Sequence, residues 1–305
     1  MVNTRRNGWS VAADAMAIGL ALLWLAPLIF GLLMSFRPQA APISSGNIFF
    51  GCQSDLSDQQ QALIDEREAG RSITFAGCTV TRSNYDAAWS LTNGQWPRFF
   101  LNSLIFVVGT LAVQVVTVTM AAYAFARMRF FGRNVLLFAL LLQLMVPTGL
   151  LIIQNFATIR RFGLLDTHWA LMLPYWGSAF GVLLLRQTFR QVPYELEEAA
   201  RIDGANLAQV LTNVYMPLSV PAYIAFALVS ISSHWNEVLW PLIVTRTDTA
   251  RTLTVGLSLL YENSDTGANY GLIMAGTILV VAPLVGMFML FQRRFIESFA
   301  SSGIK

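Results

Sequence analysis

Long stretches of this chain carry no Asp, Glu, Lys or Arg: Ala15 to Phe36, Phe99 to Ala126, Asn134 to Ile159, Thr167 to Leu185, Gly204 to Asn236 and Thr266 to Gln292. A membrane-spanning helix needs about 20 mostly apolar residues. One such run fits a buried core helix; a succession of them excludes a soluble fold. The pattern predicts an all-α membrane protein with six transmembrane helices, at about 14–36, 99–126, 134–154, 168–188, 218–243 and 268–291. Three parts follow: the N-terminus with the first helix (1–36), an extracytoplasmic loop (37–98), and a core of five further helices (99–305). A polar island at 190–217 separates the fourth and fifth helices, and a basic turn, Arg127 to Arg133, joins the second and third. Pro27, Pro147, Pro174, Pro241 and Pro283 fall inside the predicted spans. There proline frees a backbone carbonyl and tends to kink the helix.

Composition agrees: 55% of the residues are hydrophobic and 12% charged, against roughly 25% charged in soluble domains. Basic residues in short loops set orientation. With the N-terminus inside, the inner segments hold Arg5, Arg6, Arg127, Arg129, Arg133, Arg186, Arg190, Arg201, Arg293, Arg294 and Lys305. The short outer loops hold only Arg160, Arg161, Arg246 and Arg251. Both termini are therefore expected in the cytoplasm, and the net charge of +3 reflects topology rather than nucleic-acid binding. The apolar run from Ala15 is too long for the core of a signal peptide and reads as a retained first helix. Cys52 and Cys78 both fall in the outer loop, where an oxidising compartment favours a disulfide; two free thiols are the alternative. With two histidines and no cysteine cluster, no metal site is expected.

The island has its own grammar. Pro193 suits a first helical turn. Glu195, Glu197 and Glu198 follow where the helix dipole favours anions. Gly204 supplies a C-terminal cap, Asn206 caps a second short helix, and Pro217 delimits it. A helix–turn–helix results, lying in water at the inner face. An ordinary interfacial loop is the plainer reading. The docking reading gives Ala199 and Ala200 to a close-approach face and lets Glu198 and Asp203 offer carboxylates to a basic partner.

Spacing sharpens this. Glu198-Ala199-Ala200, three residues, Gly204, nine residues, then Val214 and Pro217 resembles the signature of ATP-binding-cassette importer permeases. Asn84-Tyr85, Asn102-Ser103, Ala122-Tyr123-Ala124-Phe125-Ala126-Arg127, Trp235-Asn236-Glu237 and Trp240-Pro241-Leu242 are similar to the carbohydrate-uptake subgroup, and more narrowly to its maltose-type inner-membrane subunits. The resemblance implies that Glu198, Ala199, Ala200, Asp203, Gly204, Val214 and Pro217 form an ATPase-coupling loop. It also implies a multi-pass protein of the bacterial inner membrane. The partners would be a homologous second permease, an ATPase dimer, an extracytoplasmic solute-binding protein and membrane lipid. A P-loop needs Gly-Lys-Ser/Thr, and Lys305 is the only lysine. ATP and magnesium are thus expected on the partner ATPase, with no enzyme site and no cofactor in this chain.

Ionisable groups at membrane depth are costly and usually face a cavity or a partner. Trp235, Asn236 and Glu237 are candidates for the wall of a translocation path, or for a polar contact between helices. The resemblance implies a shared translocation path, formed with the second permease, for a sugar or sugar-like solute; another solute class (glycerol phosphate, polyol, amino acid or peptide) is the alternative. An ion-coupled transporter or channel would need intramembrane charges and repeats that the chain lacks. A membrane scaffold or enzyme would need a larger outer domain with catalytic residues.

Overall fold

A computed structural model describes residues 8–38, 51–52, 57–59, 62, 66, 70–75, 78–263 and 270–302. Most of the acidic stretch 54–71 lies outside the described residues, as do Arg5, Arg6 and Lys305. The chain separates into two compact units, residues 1–94 with 257–282, and residues 95–256 with 283–305.

The first unit begins with α1 (Gly8–Ser35), which contains Pro27. Three short strands follow: β1 (Gly51–Cys52), β2 (Ser72–Phe75) and β3 (Cys78–Thr81). They form an antiparallel sheet in the order β1-β3-β2. The expectation of an all-α protein is corrected here. β-Branched Ile73, Thr74, Thr79, Val80 and Thr81 fit a pleated surface, and hydropathy windows tuned to spans do not register so short a pattern. Cys52 stands opposite Cys78 in the ladder. Cys78 is disulfide-bonded, and Cys52 is the chain's other cysteine.

Helix α2 (Ser83–Leu91) then closes the end of α1. The Asn84 Nδ2 donates to the carbonyls of Ser35 at 2.9 Å and Arg37 at 2.7 Å. These are C-terminal carbonyls of α1 and the turn beyond it, which have no partner within the helix. Tyr85 Oη lies 2.8 Å from Ser35 Oγ, and its ring packs on Phe36.

The second unit is built on α3 (Trp96–Arg127), a helix of 32 residues. It packs chiefly on α7 (Ala179–Gln191) and α11 (Val220–Trp235). Val118, Ala122, Tyr123, Val182, Leu185, Phe189, Tyr215 and Phe226 form one buried cluster. The α7–α11 contact is close because Gly181 has no side chain: a Cβ there would stand 2.5 Å from the Phe226 ring. Phe106, Leu171, Trp240 and Val244 anchor a second cluster.

The third, fourth and fifth predicted spans are not continuous helices. The third divides into α4 (Arg133–Met145), a 3₁₀ turn (Thr148–Leu151) and α5 (Ile152–Arg161), the break falling at Pro147. The fourth divides into α6 (His168–Met172), a 3₁₀ turn (Leu173–Tyr175) that contains Pro174, and α7, with a bend of 49°. The fifth ends at Trp235 and resumes as α12 (Leu239–Val244). Proline removes a helical donor and clashes with the preceding turn, so Pro147 and Pro174 sit at breaks where apolarity alone predicted one rod. Pro27 and Pro283 are accommodated inside α1 and α14 (Tyr270–Ser302). Ahead of α14 lies α13 (Leu253–Asn263).

Candidate functional site

The island folds as α8 (Tyr194–Ile202), a turn, α9 (Leu207–Val210), a π-helical turn (Leu211–Tyr215) and α10 (Met216–Leu218). Pro193 is the N-cap residue of α8. At the other end Gly204 adopts φ +84°, a left-handed conformation open to glycine at little cost. Its N–H bonds Arg201 O at 3.0 Å, and Ala205 N–H bonds Ala200 O at 2.9 Å. That pair of bonds is a Schellman cap. Asn206 and Gln209 then form a reciprocal capping box, with bonds of 3.0 and 2.8 Å. The hairpin is thus written locally, residue by residue.

Of the residues assigned to coupling, Glu198, Ala199, Asp203, Gly204 and Pro217 are exposed, and Ala200 and Val214 are half-buried. Ile202 is 85% exposed, with Leu196 and Leu207 close to half exposed. Exposed apolar side chains and exposed carboxylates are thus both present on the hairpin's surface.

Glu197 behaves differently. It is 2% exposed. Its Oε1 accepts from Tyr123 Oη at 2.7 Å and from Arg201 Nε and Nη2 at 3.1 and 2.9 Å. Its Oε2 accepts from Tyr215 Oη at 2.5 Å. Arg201 Nη2 also donates to Tyr123 Oη at 2.9 Å. Burial by itself pushes the Glu197 carboxyl up. Hydrogen bonds from Tyr215, Tyr123 and Arg201, with the Arg201 charge, outweigh it and hold the group below the usual carboxylate range. Glu197 in turn raises the Arg201 guanidinium.

A second fastening lies beside the first. Arg127 Nη2 donates to Phe189 O at 2.9 Å and to Val192 O. These carbonyls close the C-terminal end of α7. The guanidinium lies 5.4 Å from the Tyr215 ring centre and 5.9 Å from that of Tyr194, within cation–π range. Sequence reasoning gave Glu197 only a dipole role, marked Arg127 for orientation and Tyr123 and Arg127 for the family resemblance, and assigned none of Tyr123, Arg127 and Tyr215 to the site. Their sequence separation hid them: Tyr123 and Glu197 are 74 residues apart. The available signal was the final helical turn of α3, which carries both Tyr123 and Arg127.

The three path candidates divide. Trp235 is 4% exposed and lies edge-on to Phe100. Asn236 is exposed and bonds back to Ser232 O. Glu237 Oε1 accepts the Trp240 N–H at 3.3 Å, its backbone carbonyl accepts from Thr254 Oγ1 at 2.8 Å, and its side chain bonds that of Tyr175. Nearby, Gln114 bridges Tyr175 O and Ser230 Oγ, both at 2.6 Å. His234 packs edge-on against the rings of Tyr175 and Phe106, which also touch each other, and His168 Nε2 lies 2.9 Å from Asn102 Oδ1. Among the described residues, no group of His, Cys, Asp and Glu is arranged to hold a metal ion.

Residues 115–300 match the family described as binding-protein-dependent transport system inner membrane component. The lactose transport system permease protein LacG of Rhizobium radiobacter is 36% identical over 207 residues, covering 68% of this chain and 75% of that protein. The trehalose transport system permease protein SugB of Mycobacterium tuberculosis is 33% identical over 229 residues, covering 74% and 83%. A crystal structure of a bacterial ABC transporter involved in the import of alginate, an acidic polysaccharide, contains a chain of similar fold. The TM-score is 0.73 at 23% identity, covering 97% of this chain and 99% of that one.

Proposed function

The chain belongs to the family of binding-protein-dependent transport system inner membrane components, and from that premise we propose that it is one permease subunit of an ATP-binding-cassette importer for a sugar or sugar-like solute. The observation that carries this reading is the hairpin 190–217. Its Glu-Ala-Ala face is exposed while its back is fastened to α3 by buried hydrogen bonds. A surface that is fastened behind and exposed in front suits a partner that pushes. The relatives named for lactose and trehalose transport favour a carbohydrate cargo.

On this reading the chain pairs with a second, homologous permease, an ATPase dimer seats on the two hairpins, and an extracytoplasmic binding protein delivers the solute. ATP and magnesium belong to the ATPase, since a chain whose only lysine is Lys305 has no P-loop. Six spans with both termini inside fit the distribution of arginines. The apolar, exposed face of α1, Trp24 among it, is given to lipid and the partner permease. Asn236 is the exposed member of the 235–237 trio, and a path reading rests on it.

Reconstitution of all four components in sealed vesicles tests the proposal. Sugar uptake is expected to require ATP and the ATPase subunit, and to be abolished by Glu198→Arg combined with Gly204→Pro. Uptake without the ATPase, or surviving the double substitution, defeats it.

A further inference from the structure

We propose that Glu197 is a positioning residue that locks the hairpin to the end of α3, so that the two move as one body when the hairpin is loaded. The inference rests on the hairpin being the ATPase contact, and it concerns a residue on the hidden side of that contact.

The environment of Glu197 is what sets it apart. A glutamate in a first helical turn is satisfied by solvent and the helix dipole. This one is instead inserted among Tyr123, Tyr215 and the cluster around Phe189. Moving a carboxylate out of water is expensive, and well-packed apolar residues often serve stability as well or better. Stability alone therefore does not explain a carboxylate here. Hydrogen bonds are directional, and a buried carboxylate with both oxygens engaged fixes geometry in a way that apolar contact does not.

Each bond of the network ends on a different part of the machine. Tyr123 belongs to α3, Tyr215 to the π-helical turn by which the chain re-enters the bundle, and Arg201 to the far end of α8. One carboxylate thus joins α3, the re-entering turn and the far end of α8. Arg127, four residues along α3 from Tyr123, holds the remaining corner by bonding Phe189 O and Val192 O. Without these ties the hairpin would be held by its chain connections and by the apolar packing of Val210, Leu211 and Tyr215, contacts that are not directional, and a load on Ile202, Glu198 or Asp203 could shift it. With them, the load passes to α3.

The test uses the complete assembly in vesicles and reads uptake per ATP hydrolysed, which a purely structural role would leave unchanged in assembled complexes. Glu197→Gln is expected to lower this ratio by roughly fivefold or more, the lower end of typical coupling factors. The triple variant Glu197→Met, Tyr123→Phe, Tyr215→Phe keeps packing volume and removes the polar ties. It is expected to assemble and to be equally uncoupled. A wild-type ratio in either assembled variant overturns the inference, because packing then suffices. Failure of both variants to assemble also overturns it, since the cluster is then a packing element only. The unsubstituted assembly separates this from the underlying reading: uptake without the ATPase defeats that reading, whereas a coupled wild type with an equally coupled Glu197→Gln defeats only the role of Glu197.

Discussion

Glu197 and Glu198 are neighbours in sequence and opposites in environment, because consecutive helical residues are turned by about 100°. Glu198 is exposed, and Glu197 is 2% exposed with four bonds to its oxygens. Removing one partner of a buried charge is typically destabilising by about 3–5 kcal/mol. Replacing the charge itself with a neutral amide is milder and depends on pH. The Glu197 carboxyl titrates below the ordinary carboxylate value. Its contribution is therefore complete above that ordinary value and is lost as pH falls through the lowered one. The melting temperature of purified wild type should exceed that of Glu197→Gln at neutral pH, and the gap should narrow as pH falls below the ordinary carboxylate value of about 4. Thermal denaturation of both proteins across pH 3–7 checks this; a gap that does not change with pH would contradict the charged network. None of this was legible in the sequence. The hairpin's own residues announce a helix, but nothing local announces a partner 74 positions away.

At the scale of the element, the hairpin was largely legible. Its punctuation is local chemistry, and Pro193, Gly204 and Asn206 act where they stand. Gly204 at φ +84° should tolerate Asn better than Ala, since alanine pays about 1–2 kcal/mol in the left-handed region. Asn206→Ala removes the side-chain half of the capping box and should cost about 1 kcal/mol, whereas Asn206→Asp should cost far less. Hydrogen exchange over 199–210 measures both: faster opening is expected for the alanine variants and little change for Gly204→Asn and Asn206→Asp. Equal protection in all four would mean that tertiary ties, not caps, hold the turn. The spans were less legible. Hydropathy marks where apolar side chains lie, but the helix breaks at Pro147, within the 172–178 bend and at 236–238 depend on where backbone groups find other partners. Gln114 supplies such a partner for Tyr175 O, and Thr117 Oγ1 for Trp176 O at 2.7 Å.

At the scale of the second unit, the fastenings are spaced along α3. Near its start, Asn102 Nδ2 donates to Arg251 O at 2.9 Å and Ser103 Oγ accepts the Leu253 N–H at 2.8 Å. Near its middle, Gln114 ties Tyr175 O and Ser230. Near its end, Tyr123 holds Glu197. At a rise of 1.5 Å per residue, the outer and inner ties stand roughly 30 Å apart, the thickness of the hydrocarbon core. The loop beside the outer tie is itself clamped. Asp166 accepts from the backbone N–H groups of Arg246 and Thr247 at 2.9 and 3.1 Å and from the Thr247 hydroxyl at 2.6 Å. Burial pushes its carboxyl up, but these bonds and the Arg251 charge hold it below the ordinary range, as befits a charged group kept in contact with water. Two polar belts one bilayer apart on a single helix predict that the Asp166 loop and the hairpin emerge on opposite sides. The arginine distribution leads to the expectation that the hairpin lies inside. Single cysteines at Arg160→Cys and Ile202→Cys, both exposed sites, test this with a membrane-impermeant maleimide on sealed right-side-out vesicles. Arg160→Cys should label at once and Ile202→Cys only after permeabilisation. The reverse order would invert the topology, and labelling of both before permeabilisation would mean that α3 does not cross the bilayer.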